Sequence, residues 1–232
     1  MKLAIMQPYF FPYIGYFQML NAVDKFVVYD DVNFIKGGWI ARNRILSNGS
    51  PSYFSIVMQG ASPFKLISEI NVDTGFIWKK KLLKSIELSY KKAPYFEKVY
   101  PLVQNVIEIP SDLLVDYARE SVLNVKDYLG IQTQVVPSSS VYNNSSLKSH
   151  ERLIDICNIE HSDHYINPIG GIEIYSKEDF LQANIKIEFI KTLDITYRQY
   201  NEPFVANLSV IDVLMFNDVA AVKDFLEKYT LL

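Results

Sequence analysis

A chain of 232 residues, 49% of them hydrophobic and 21% charged, is long enough to bury a substantial core, and it carries a formal net charge of only −3. That balance excludes strong electrostatic capture by nucleic acid or an anionic membrane as the basis of function. The single cysteine, Cys157, excludes an internal disulfide and a cysteine-rich zinc site and fits a reducing compartment, so the cytoplasm is the expected location.

Leu3-Ala4-Ile5-Met6 is a short apolar run halted by Gln7-Pro8, too short for a signal peptide or a membrane span and suited to a buried strand. Residues 13–22 follow Pro12 and suit a helix, and Asp24-Lys25-Phe26-Val27-Val28-Tyr29 is a second β-branched and aromatic run. Strand, helix, strand within 30 residues predicts a parallel pair, with ligands beyond the carboxyl ends of the strands. The Gln7 turn and Asp30-Asp31 both fall there.

After the glycine punctuation Lys36-Gly37-Gly38-Trp39, a turn at Ser47-Asn48-Gly49-Ser50-Pro51 precedes a strand over residues 52–58. From Phe76 the period becomes helical, with Trp78, Leu82, Leu83, Ile86 and Tyr90 three and four residues apart. Further helices are predicted over residues 95–106 and 112–128, the second opened by Ser111 and stopped by Gly130. Residues 132–136 suit a strand, and the Ser/Asn-rich segment 137–146 reads as a linker. Beyond it come a helix over 149–158, a strand over 163–166, a tight turn at Gly170-Gly171, a helix over 177–183, a strand over 185–190 and helices over 208–216 and 220–229. The expected class is α/β, a mostly parallel Rossmann-like sheet flanked by helices, with a helical segment in the middle of the chain. Residues 1–136 would form an N-terminal α/β part and residues 147–232 a C-terminal α/β part packed on it as one compact unit.

The chemistry concentrates in a few places. Pro8, Pro12 and Gly15 would set the directions of Gln7, Tyr9, Tyr13 and Tyr16, either toward a ligand or as packing that fastens the first helix. Asp30 and Asp31 have the chemistry of a base or of an amine-binding pair, or of a capped turn. Lys36, Arg42, Asn43 and Arg44 form the densest hydrogen-bonding cluster outside the lysine-rich helix, with Arg42 and Asn43 as candidates for a pyrophosphate or else a surface ion-pair set, and Lys36 and Trp39 are further candidate substrate contacts. Gly170, Gly171 and Tyr175 would line a loop that a ligand can approach closely. Cys157, with His161 and His164 nearby, is a nucleophile for a thioester or an inert buried thiol. Ser209 and Asp212 open a helix as caps or as two polar groups on an apolar stripe.

The segments Met6 to Phe17, Tyr29-Asp30-Asp31-Val32, Trp39 to Ile45, Tyr165 to Gly171 and Leu208 to Leu214 resemble, in this order, the WbqC-like family, over nearly the whole chain. The resemblance implies a role in bacterial O-antigen and other surface-polysaccharide synthesis, with transfer of glycine or another acyl group to an amino sugar. It implies a nucleotide-linked amino sugar as partner and an activated donor: coenzyme A, a carrier protein or an aminoacyl-tRNA, the last being the one expected contact with nucleic acid. Pro12-Tyr13-Ile14-Gly15-Tyr16 is also similar to the Pro-x-x-Gly-His turn of nucleotidylyl-transferring folds, with Tyr16 in place of the histidine. The alternatives are therefore an ATP-dependent ligase or nucleotidylyltransferase, and a non-catalytic nucleotide-sugar-binding protein.

Overall fold

The structure is a computed structural model that describes residues 1–200 and 203–232. Its centre is a six-stranded sheet with the order β10-β9-β8-β1-β2-β7. These strands are β1 (Lys2–Met6), β2 (Lys25–Val28), β7 (Gln134–Val136), β8 (His164–Pro168), β9 (Lys186–Thr192) and β10 (Tyr229–Leu231). Parallel pairing runs from β9 to β7, and β10 is antiparallel on β9. The fold is thus α/β with a mostly parallel sheet. Two short ribbons lie outside it: β3 (Arg42–Ser47) pairs with β4 (Ser50–Ser55), and β5 (Met58–Gln59) with β6 (Asn71–Val72).

The sheet is covered on both faces because its central strands are apolar at successive positions. Ala4, Phe26, Val28, Ile166 and Ile190 point into a core shared with α1 (Ile14–Asn21), α2 (Phe76–Tyr90), α3 (Phe96–Ile107), α4 (Leu114–Leu129), α7 (Val210–Phe216) and α8 (Val219–Leu226). Leu3, Ile5, Val27, Tyr165, Ile187 and Phe189 alternate with them and pack on α5 (Ser149–Ile159) and α6 (Lys177–Gln182). No helix of the described residues is long and apolar enough to cross a membrane.

Three local readings change. Ser111 does not cap α4 directly: its Oγ accepts from Leu113 N at 3.1 Å and donates to Asp116 at 2.5 Å, one turn ahead of the helix. The segment 137–146 is no free linker, because Ser139–Tyr142 forms a 3-10 turn in which Ser139 is fully buried. The C-terminal helix predicted over 220–229 is replaced after Leu226 by β10, which takes the free edge of β9.

Candidate functional site

Chain order reverses at β1, which has β2 on one side and β8 on the other. In open α/β sheets such a switch point leaves a crevice at the carboxyl ends of the strands. A cavity of about 420 Å³ opens there, against Met6, Pro168, Ile190 and Thr192 at the ends of β1, β8 and β9. Tyr9, Tyr13, Gly15 and Tyr16 form one wall, and Trp39, Asn43, Arg44 and Asn207 the other.

The turn before α1 is held in an unusual conformation. Phe11 has φ +41°, costly for a bulky residue, and its neighbours satisfy every backbone group around it. Phe11 N donates to Ser121 Oγ of α4 at 2.8 Å, while Phe11 O accepts from Asn43 Nδ2 at 2.8 Å and from Ser209 Oγ at 2.7 Å. Phe10 and Phe11 are themselves fully buried. The aromatic run therefore divides: the phenylalanines anchor and the tyrosines face the cavity. Gly15 permits this, because a Cβ there would lie 2.4 Å from the Tyr13 ring and 2.5 Å from Thr192 Oγ1.

Electrostatically the cavity is sparse. Burial raises the Tyr9 hydroxyl, with repulsion from Tyr13 adding to it, and raises Tyr13 against the opposing hydrogen bond with Thr192. Tyr16, wholly buried, is pushed well above the ordinary tyrosine range, and its hydroxyl donates to Gln7 O at 3.0 Å. These groups stay protonated at neutral pH and can act as hydrogen-bond donors, not bases.

The candidate site residues do not all share this cavity. Tyr9, Tyr13, Tyr16, Trp39 and Asn43 line the cavity; Gln7, Asp30, Asp31, Lys36, Arg42, Cys157, Gly170, Gly171 and Tyr175 do not. Asp30 is buried, and its Oδ1 accepts from Ser138 Oγ at 2.7 Å and Ser139 N at 3.1 Å. Burial raises its carboxyl, opposed by those bonds. Asp31 is paired with Arg152 of α5 at 2.5 Å and also accepts from Ser139 Oγ. Arg152 lies over the Tyr29 ring at 4.9 Å and donates to Asn144 at 2.9 Å. The acids thus fasten the 137–146 segment and α5 to the end of β2.

Arg42 stacks over Tyr53 at 4.6 Å and donates to Gly37 O, outside the cavity, and Lys36 is solvent-exposed. Gly171 gives room to Asn167, whose Oδ1 would lie 2.0 Å from an added Cβ, so this glycine serves packing. Tyr175 packs edge-on to Phe180 on the α6 side. Burial pushes the Cys157 thiol up to about 12, which leaves it protonated and inert. Ser209 does cap α7, accepting from Ile211 N at 3.2 Å, whereas Asp212 is a buried acceptor for Tyr90, Tyr197 and Gln199 at 2.6 to 2.8 Å.

Sequence reading misses Arg44, Thr192 and Asn207 as cavity residues. Arg44 lies on β3 beside Asn43, and strand alternation would not have picked it out, because both adjacent residues line the cavity while Arg42, two positions away, does not. Asn207 sits in the left-handed region at φ +56°, a conformation asparagine tolerates. Nothing local distinguishes Thr192.

A family model described as the WbqC-like protein family matches residues 7–224. The chain is 26% identical over 230 residues, 97% of each chain, to a protein of Mycobacterium tuberculosis (strain ATCC 25618 / H37Rv) named Uncharacterized protein Rv1507c. No solved structure matches.

Proposed function

Since this chain belongs to the WbqC-like protein family, we propose that it is a cytoplasmic transferase that puts an acyl or aminoacyl group, glycyl among them, on the amine of a nucleotide-linked amino sugar in bacterial surface-polysaccharide synthesis. The observation that carries this reading is the cavity at the strand ends, walled by three tyrosines and a tryptophan, whose faces suit a sugar or another ring. In the reaction the neutral amine nitrogen attacks the donor's carbonyl carbon. The new N–C bond forms, the donor's C–S or C–O bond breaks, and the departing thiolate or alkoxide takes the proton the nitrogen loses. The protonated Tyr9 and Tyr13 hydroxyls would donate to the oxyanion, that of Tyr16 being bound to Gln7 O. No protein nucleophile is needed, which accords with the protonated Cys157 thiol.

A non-catalytic sugar-binding role is favoured by a different observation: among the described residues no carboxylate, imidazole or thiol belongs to the cavity wall. The two readings separate when the protein is incubated with a nucleotide-linked amino sugar and a panel of acyl and aminoacyl donors, with and without ATP and magnesium, and product mass is followed. A new amide formed without ATP is the outcome expected of the transferase. Heat of sugar binding with no product from any donor would leave the binding role, and pyrophosphate release would replace both with a ligase.

A further inference from the structure

Among the described residues Arg44 is the one charged residue of the cavity wall, and no carboxylate of those residues pairs with it. Its Nη2 donates to the neutral Asn207 carbonyl at 3.1 Å, its guanidinium lies 5.7 Å from the Trp39 ring centroid, and its Nε is sealed from solvent with no partner. A guanidinium held in place by a carbonyl and an aromatic face keeps its full charge and has donors to spare. Such a group next to a low-dielectric cavity attracts a counter-ion more strongly than one in bulk water.

The floor has the opposite character. Met19, Tyr16 and Ile190 are 1%, 3% and 5% exposed, whereas Trp39 beside Arg44 is 38% exposed. Of the hydroxyls there, that of Tyr16 is already engaged with Gln7 O. A ligand reaching the floor therefore finds hydrocarbon and few open polar groups, and burying its own hydroxyls there would cost free energy.

We propose that Arg44 makes this cavity a receptor for a small amphiphilic anion, with a phosphate or carboxylate on the guanidinium at the rim and an apolar ring or methyl group on the floor. The inference rests on the reading of this cavity as the ligand site, but it does not require transfer chemistry.

The test titrates the folded protein with phenyl phosphate, phenylacetate and the neutral benzyl alcohol, by calorimetry and by tryptophan fluorescence. Of the two tryptophans Trp78 is buried and Trp39 stands at the rim, so a fluorescence change reports the cavity. At least one anion is expected to bind about tenfold or more tightly than the alcohol, as a charge-assisted bond allows, and the stronger of the two arms identifies the phosphate or the carboxylate. Arg44→Gln should abolish that difference, Arg44→Lys retain part of it, and Arg42→Gln, outside the cavity, leave it unchanged; circular dichroism confirms that each variant is folded. Equal binding of the neutral probe, an unaltered Arg44→Gln profile, or no binding of either anion in the millimolar range would overturn the proposal. If the native chain forms the amide product and Arg44→Gln does so equally well, the transferase stands and the anion site falls. Arg44-dependent anion binding without any product leads to the reverse conclusion.

Discussion

Phe11 and Gly15 show how single residues set the cavity wall. The left-handed backbone at Phe11 costs of order 1–2 kcal/mol, and hydrogen bonds from Ser121, Asn43 and Ser209 hold it in place. Ser121 lies on α4 and does not line the cavity, yet Ser121→Ala leaves the buried Phe11 N–H without its acceptor. That variant should lose about 1–3 kcal/mol of stability in urea denaturation, together with ligand affinity, because the tyrosines move with the turn. Gly15→Ala separates the two effects. Alanine favours the helix by about 1 kcal/mol, but its Cβ displaces the Tyr13 ring and the Thr192 hydroxyl. The expected result is a melting temperature close to that of the native chain with weakened binding to the cavity. None of this is legible in the sequence, where the prolines mark a constrained turn but not which aromatic ring points inward.

At the scale of elements the sheet strands and the long helices are legible because local pattern and tertiary environment agree. The alternation of Leu3 and Ile5 with Ala4 serves two cores, and Trp78 to Tyr90 repeats at helical spacing toward one. Asn48-Gly49 is read correctly as a turn for a physical reason: both residues have positive φ, +50° and +74°, as a two-residue hairpin demands. The 137–146 segment misleads because serine and asparagine look the same whether they face water or a buried acid. Here they face Asp30, Asp31 and Arg152. Arg152 is 3% exposed, so Arg152→Met should strand the Asp31 carboxylate and cost about 3–5 kcal/mol in chemical denaturation.

The same segment contributes Tyr142, which with Lys25 of β2 binds Glu160 at the end of α5, at 2.6 and 2.5 Å. Burial by itself would raise the Glu160 carboxyl, but the bonds from Lys25 and Tyr142 outweigh it and hold the group below its ordinary value of 4.5. A carboxyl depressed in the folded state stabilises fully above its unfolded value, and that contribution disappears as pH falls through the folded one. Lys25→Met should therefore be less stable than the native chain at neutral pH, with the gap closing as pH drops below 4.5. Urea midpoints measured across pH would show it.

Across the whole molecule the sequence supports the class, and the structure has a cavity at the strand ends where ligands are expected, but the sequence does not reveal which groups share a face. Asp30-Asp31 and the aromatic turn both follow parallel strands, yet Asp30 is bound to Ser138 and Ser139 and Asp31 to α5, which packs on one side of the sheet, while α1, whose first turn lines the cavity, packs on the other. For Cys157 the sequence leaves a nucleophile or an inert buried thiol open, its apolar helical neighbours favouring the second, and packing against Leu153, Ile156 and the sheet accords with that. A thiol-specific chromogenic reagent should leave Cys157 unmodified in the native protein and react with it on unfolding, and Cys157→Ala should keep whatever turnover the native chain has.

The position of β1 also governs how the molecule can be built. It precedes the other strands of the sheet in the chain, and one of its two neighbours, β8, pairs with it from 162 positions later, Lys2 opposite His164. Until β8 is made, the nascent sheet shows an unpaired apolar edge, the kind of surface to which a second chain adds readily. The same delay reaches the cavity, whose walls need β8, β9 and Asn207. The pocket is completed only after Asn207 has been synthesised, so a cavity ligand can bind only a chain that already holds β1, β8 and β9.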